Sequence, residues 1–144
     1  MKRKYLDDIG CTSRFDTWDL GPDKERREQG FKEQRDIYGF DERETWNLNE
    51  TFLEFLYERL MMYVDIGGKM VNLNFHKFKF RGKEYTQLEL INIMLDDLKY
   101  LITTDEDEYF GVNTKKYKQI LREIPYRRNR VMDIWKLVFP AMWW

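Results

Sequence analysis

The chain has 144 residues, of which 42% are hydrophobic, 35% charged and 17% aromatic, and its 25 basic and 26 acidic side chains leave a net charge of −1. That length and balance allow one domain with a full core, and five Trp, nine Tyr and ten Phe are far more than a disordered tail carries. One cysteine (Cys11), one histidine (His76) and one serine (Ser13) exclude an intrachain disulfide and a Cys/His zinc cage, and they leave little for nucleophilic catalysis.

The basic start Met1-Lys2-Arg3-Lys4 is followed by Leu6-Asp7-Asp8, where a signal peptide needs its apolar stretch, and no apolar run approaches the roughly 20 residues that span a bilayer. A cytoplasmic protein is therefore expected, with no membrane partner. Residues 1–21 are the least periodic part; within them Arg14–Leu20 alternates charge and bulk around Phe15, Trp18 and Leu20, which suits an extended segment and a third strand beside a hairpin. Pro22 suits a first helical position, and a charged helix with a thin apolar stripe is predicted over Asp23–Tyr38, interrupted at Gly30.

Asn47 and Glu50 have capping-box spacing, so the next helix is predicted to start there and to stop at Gly67-Gly68. Leu48, Phe52, Phe55, Leu56, Leu60, Tyr63 and Val64 recur at helical spacing as its inward face, while Glu50, Glu54 and Glu58 read as a solvated ladder. From Met70 to Tyr85 the period changes to two, with a bulge near Phe75-His76 and a tight turn at Arg81-Gly82. Thr86 and Glu89 repeat the capping-box spacing and open a helix over Gln87–Ile102. Its broad stripe (Leu88, Ile91, Leu95, Leu98, Ile102, widened by Leu90, Met94 and Leu101) needs more than one neighbour, inside the domain or in a second subunit. Two further helices are predicted, Thr114–Ile124 ending at Pro125 and Asn129–Phe139 ending at Pro140. The reading is a single α+β domain over residues 1–144, mainly helical with about four to five helices and a β-hairpin near residues 70–85.

Charge is uneven along the chain. Residues 111–144 carry eight basic side chains (Lys115, Lys116, Lys118, Arg122, Arg127, Arg128, Arg130, Lys136) against Glu123 and Asp133, a net of +6, so residues 1–110 carry −7. Tyr126-Arg127-Arg128-Asn129-Arg130 mixes a stacking ring with guanidiniums, which is the chemistry of a nucleic-acid or nucleotide binder. The acidic remainder of the chain supplies the opposing reading, in which the patch is neutralised within the fold or across a symmetric dimer.

Catalytic and metal motifs are sparse. His76 has no paired base or acid motif around it, and Cys11 has only Arg14 as a nearby cation. Asp105 and Asp107 open like a calcium loop, but Phe110 stands where glycine is needed and Lys116 where a bidentate Glu is needed. Asp96-Asp97 and Asp7-Asp8 read as surface acids, adjacent carboxylates on a helix pointing in different directions. No catalytic residue, metal ligand or cofactor is assigned, and the reading leans away from an enzyme; a small carboxylate-metal enzyme is the remaining catalytic alternative. Trp143 and Trp144 end the chain as rings that pack back on the core or dock into a partner, and a dimer would use both them and the broad Gln87–Ile102 stripe.

The segment Gly39-Phe40-Asp41-Glu42-Arg43-Glu44-Thr45-Trp46-Asn47-Leu48-Asn49 resembles one found in small proteins encoded by bacteriophages and prophages, matching at Phe40, Asp41, Arg43, Glu44, Trp46, Asn47, Leu48 and Asn49. Phe52–Tyr63, and His76-Lys77-Phe78 before Gly82-Lys83, are similar to that group as well, so the likeness covers about a third of the chain. It implies a phage origin. Physically the segment is a helix-entry device in which Trp46 staples against Phe52 beside a charged network of Asp41, Arg43 and Glu44; functionally, Arg43 and Trp46 would grip a ligand or partner. The expectation is a non-enzymatic phage accessory protein that binds a host macromolecule, such as a defence component, through Arg43, Trp46, Tyr126, Arg127, Arg128, Arg130, Trp143 and Trp144.

Overall fold

The computed structural model describes residues 3–11 and 19–143. In chain order these form α1 (Lys4–Asp7), α2 (Lys24–Tyr38), α3 (Arg43–Trp46), α4 (Leu48–Met62), α5 (Gly68–Met70), β1 (Lys77–Phe80), β2 (Lys83–Thr86), α6 (Gln87–Thr103) and α7 (Thr114–Val138). The result is an α+β fold dominated by four long helices, α2, α4, α6 and α7, with one small antiparallel hairpin.

Helix α6 is the centre of the fold because its apolar stripe is wide enough to meet two neighbours. Leu90, Ile91, Met94 and Leu98 have no exposed surface; they meet Leu56, Tyr57 and Leu60 of α4, Val131, Ile134 and Val138 of α7, and Leu6 of α1 in one core. The broad stripe is thus used within the chain. The helix starts where its sequence says: the Glu89 amide donates to Thr86 Oγ1 at 3.2 Å, and the Thr86 amide donates to Glu89 Oε2 at 2.7 Å.

The hairpin pairs Lys77 with Thr86 and Phe80 with Lys83. Arg81 (φ 49) and Gly82 (φ 80) both take left-handed backbone, the conformation of a two-residue turn that matches strand twist. Phe78, Phe80 and Tyr85 turn one side of the hairpin onto the helical core, which supplies the support a lone hairpin lacks. Residues 71–76 form a loop rather than the expected start of a strand, so there is no bulge at Phe75-His76. The loop is instead stitched to α6 by Leu88 N donating to Leu73 O and Gln87 N donating to His76 O, both at 3.0 Å. The sheet has two strands among the described residues; residues 12–18 of the expected third strand, with Phe15 and Trp18, lie outside them.

Four further expectations are corrected. The two C-terminal helices are one: α7 runs through Pro125, with Ile120 buried on one side of it and Val131 buried in the α6 core on the other, and burial of both flanks holds the helix across the missing Pro125 amide. Gly67-Gly68 does not stop the preceding helix. Both keep right-handed backbone (φ −61 and −63), and a π-helical turn over Tyr63–Gly67 carries the chain into α5 before Val71 turns extended. Asn47 makes no side-chain cap at α4. The inward face assigned to α4 splits in two: Leu56 and Leu60 are buried, whereas Leu48, Phe52 and Phe55 face solvent.

Candidate functional site

Helix α2 ends at Gly39, whose left-handed backbone (φ 80) lets its amide donate to Arg35 O at 2.9 Å and turns the chain back along the helix. The Gly39–Asn49 segment follows, and its anchor is Asp41, a carboxylate only 3% exposed. Asp41 Oδ1 accepts from the Arg43 amide at 3.1 Å and from Arg43 Nε at 2.8 Å, while Oδ2 accepts from Arg43 Nη2 at 2.7 Å and from Arg35 Nη1. Burial works to raise the Asp41 pKa, but the hydrogen bonds from Arg43 and Arg35 outweigh it and hold the carboxyl below its ordinary value. The Arg43 guanidinium also lies 4.3 Å over the ring of buried Phe31, joining the segment to α2 by a cation–π contact. Gln34 completes the attachment: its Nε2 donates to Glu42 Oε2 at 3.2 Å and its Oε1 accepts from the Glu42 amide at 2.7 Å.

These contacts hold a shallow cleft of about 310 Å³ lined by Gln34, Tyr38, Phe40, Asp41, Glu42 and Thr45. The Tyr38 and Phe40 rings stand 6.3 Å apart at its edge, both largely in solvent, with Ile37 exposed beside them in sequence and Trp46 half-exposed on α3. Chemically the site offers flat apolar rings on a polar, charge-locked base. Arg43 itself faces inward, engaged with Asp41 and Phe31, so of the two grip residues expected in this segment Trp46 alone presents its side chain substantially to solvent.

The basic C-terminal cluster has a second buried carboxylate at its heart. Asp97, on α6, has no exposed surface; it accepts from Arg130 Nε at 2.6 Å, from Arg130 Nη2 at 2.7 Å and from Arg127 Nη1 at 3.0 Å. Hydrogen bonding to Asp97, working against burial, raises the Arg130 pKa. Arg127 also donates to Glu123 at 3.0 Å and stacks 4.2 Å over Tyr100. Tyr126, half-exposed, accepts from Arg81 at 3.2 Å and from Arg130 at 3.4 Å, which ties the hairpin turn to α7. Arg128 is exposed, Trp143 is 71% exposed, and Trp144 lies outside the described residues. Arg127 and Arg130, the core of the polyanion reading, thus have their charge matched inside the fold.

Asp97 and Glu54 correct the sequence reading of surface acids. Both are buried, Glu54 accepting from Arg3 Nη1 at 3.1 Å while Glu58 accepts from Arg3 Nη2 at 2.7 Å. Asp97 carried a signal that could have found it: it stands three residues after Met94 and seven after Leu90, on the apolar stripe itself, and Arg127 and Arg130 recur at helical spacing to meet it. Among the described residues no group of three His, Cys, Asp or Glu side chains could hold a metal ion, and no helix is long and apolar enough to cross a membrane. His76 is exposed, with its ring edge-on to Phe75 at 5.2 Å. No family model, no curated protein and no solved structure matches the chain.

Proposed function

We propose that this chain is a non-enzymatic, phage-encoded accessory protein that works in the host cytoplasm by binding and occupying a host protein, through the surface built from Tyr38 and Phe40. The observation that carries this reading is the buried Asp41 clamp. A carboxylate held by two arginines fixes the segment between α2 and α4, so the rings above it are presented in place rather than ordered on binding. Tyr and Trp dominate protein-binding hot spots, and a rigid aromatic surface beside a shallow cleft suits an apolar anchor from a partner. The phage-like segment is the same stretch of chain, which is why a host macromolecule is the partner class.

The test is capture from bacterial lysate by the immobilised protein, with Phe40→Asp and Tyr38→Asp as controls. Both rings are exposed, so the variants keep the fold. A stoichiometric host protein retained at micromolar concentration by the wild type and lost by both variants is the expected result. Equal capture by wild type and variants contradicts the reading.

A further inference from the structure

Helix α4 has two apolar faces, and the core uses one of them. The other is Leu48, Phe52, Phe55, Arg59, Met62 and Ile66, spaced 4-3-4-3-4, the repeat of a helix–helix seam. Its five apolar members are between 37% and 63% exposed, and the run extends without a break from α4 into the π-helical turn over Tyr63–Gly67. We propose that this face is a self-association surface on which α4 of a second copy of the chain packs antiparallel about a two-fold axis.

Two features select a second copy as the occupant. The first is area. The exposed parts of these side chains come to roughly 600 Å² per copy, so complete coverage of both seams would bury at most on the order of 1,200 Å² together, the lower bound of a stable specific interface. The second is self-complementarity around Arg59. In a parallel, in-register pair Arg59 would meet its own charge in mid-seam. In the antiparallel pair, centred near residue 57, Leu48 faces Ile66, Phe52 faces Met62, and Arg59 faces Phe55. Each Arg59 guanidinium already lies 3.9 Å over the Phe55 ring of its own chain and pairs with Glu58 at 3.3 Å, so the partner's ring adds a second aromatic neighbour to a guanidinium that keeps its counter-charge. Antiparallel packing also sets the two helix dipoles head to tail. An isologous contact of this kind closes at two copies.

This seam is separate from the Tyr38–Phe40 surface, and different variants test the two. Sedimentation velocity from 5 to 100 µM is expected to give twice the chain mass for the wild type and for Phe40→Asp. Phe55→Glu and Met62→Glu, both at exposed positions, are expected to give the single-chain mass with unchanged far-ultraviolet circular dichroism. Orientation is read by oxidation of the Leu48→Cys/Ile66→Cys double variant in a Cys11→Ala background, which removes the native free thiol from this and the single-cysteine control. These positions lie about 27 Å apart on one helix and cannot join within a chain, so a covalent dimer is expected, and Leu48→Cys alone should yield none. A single-chain mass for the wild type throughout that range, a dimer that survives Phe55→Glu, or efficient cross-linking by Leu48→Cys alone would each overturn the proposal.

Discussion

Arg130 grips Asp97 with two parallel hydrogen bonds, 2.6 and 2.7 Å long, on a carboxylate that has no exposed surface. The pair, joined by Arg127 at 3.0 Å, cross-links the two helices that form the most extensive helix contact of the fold. A bidentate, charge-assisted contact fixes both distance and rotation, so it sets how α7 lies on α6 as well as neutralising the basic cluster. Breaking such a pair from one side is far worse than never having it, because the remaining charges stay desolvated. Asp97→Asn is therefore expected to lower the unfolding free energy by about 3 kcal/mol in urea titrations, whereas Arg128→Ala at an exposed site should stay within about 0.5 kcal/mol. Equal, small effects of the two substitutions would show that the clamp contributes nothing to the helix pairing.

Asp41 makes stability depend on pH in a defined direction. Its folded pKa lies below the ordinary carboxylate value near 4. The unfolded chain consequently takes up the proton first as pH falls, and folding loses this carboxylate's contribution between about pH 5 and the folded pKa, below which both states are protonated and the contribution is gone. Asp41→Asn should flatten the fall in urea midpoint between pH 6 and pH 3 relative to the wild type. Parallel pH profiles for the two proteins would mean that Asp41 is not held by Arg35 and Arg43 in solution.

The Thr86–Glu89 box satisfies backbone donors at the first turn of the central helix. Thr86→Ala should destabilise by about 1 kcal/mol, a drop of about 3 °C in Tm for a domain of this size. Thr86→Ser, which keeps the hydroxyl, is expected to recover most of the loss, and a failure to recover it would assign the effect to the lost methyl group.

Pro125 sits inside a 25-residue helix and leaves Leu121 O without its usual donor. Pro125→Ala restores that donor and relieves the ring clash, so the variant should be more stable, by about 1–2 kcal/mol after some loss of packing. A lower midpoint for Pro125→Ala would mean that the proline ring itself is a packing element of the α7 surface.

Local signals were legible where one residue decides the geometry. Arg81-Gly82 marked its turn because glycine accepts the positive φ, and Thr86 with Glu89 marked a helix start because the reciprocal bonds need only neighbours in sequence. The stripe of α6 was readable for the same reason: its period needs no knowledge of the partners. What was not legible depends on contacts far along the chain. Pro125 reads as a breaker until burial of Ile120 and Val131 holds α7 on either side of it, and Gly67-Gly68 reads as a stop until the π-helical turn carries the backbone through. Glu54 looks solvated until Arg3 arrives from 51 residues away, and Asp97 until Arg130 arrives from 33. At the candidate site, the sequence marked Asp41, Arg43 and Glu44 as a charged network beside the entry residue Trp46, but could not tell that Arg35 joins Asp41 and that Arg43 turns inward while Tyr38 and Phe40 stay in solvent. The α4 face misled most: periodicity groups apolar residues by angle but cannot say which of two apolar faces the core will take.

Hydrogen–deuterium exchange on the protein with and without its captured host partner tests most directly whether the ring surface beside Asp41 is where this chain does its work. Slowed exchange over residues 34–46, abolished by Phe40→Asp, is the expected result. Unchanged exchange there, with protection confined to residues 114–138, would contradict it and return the binding role to the basic helix.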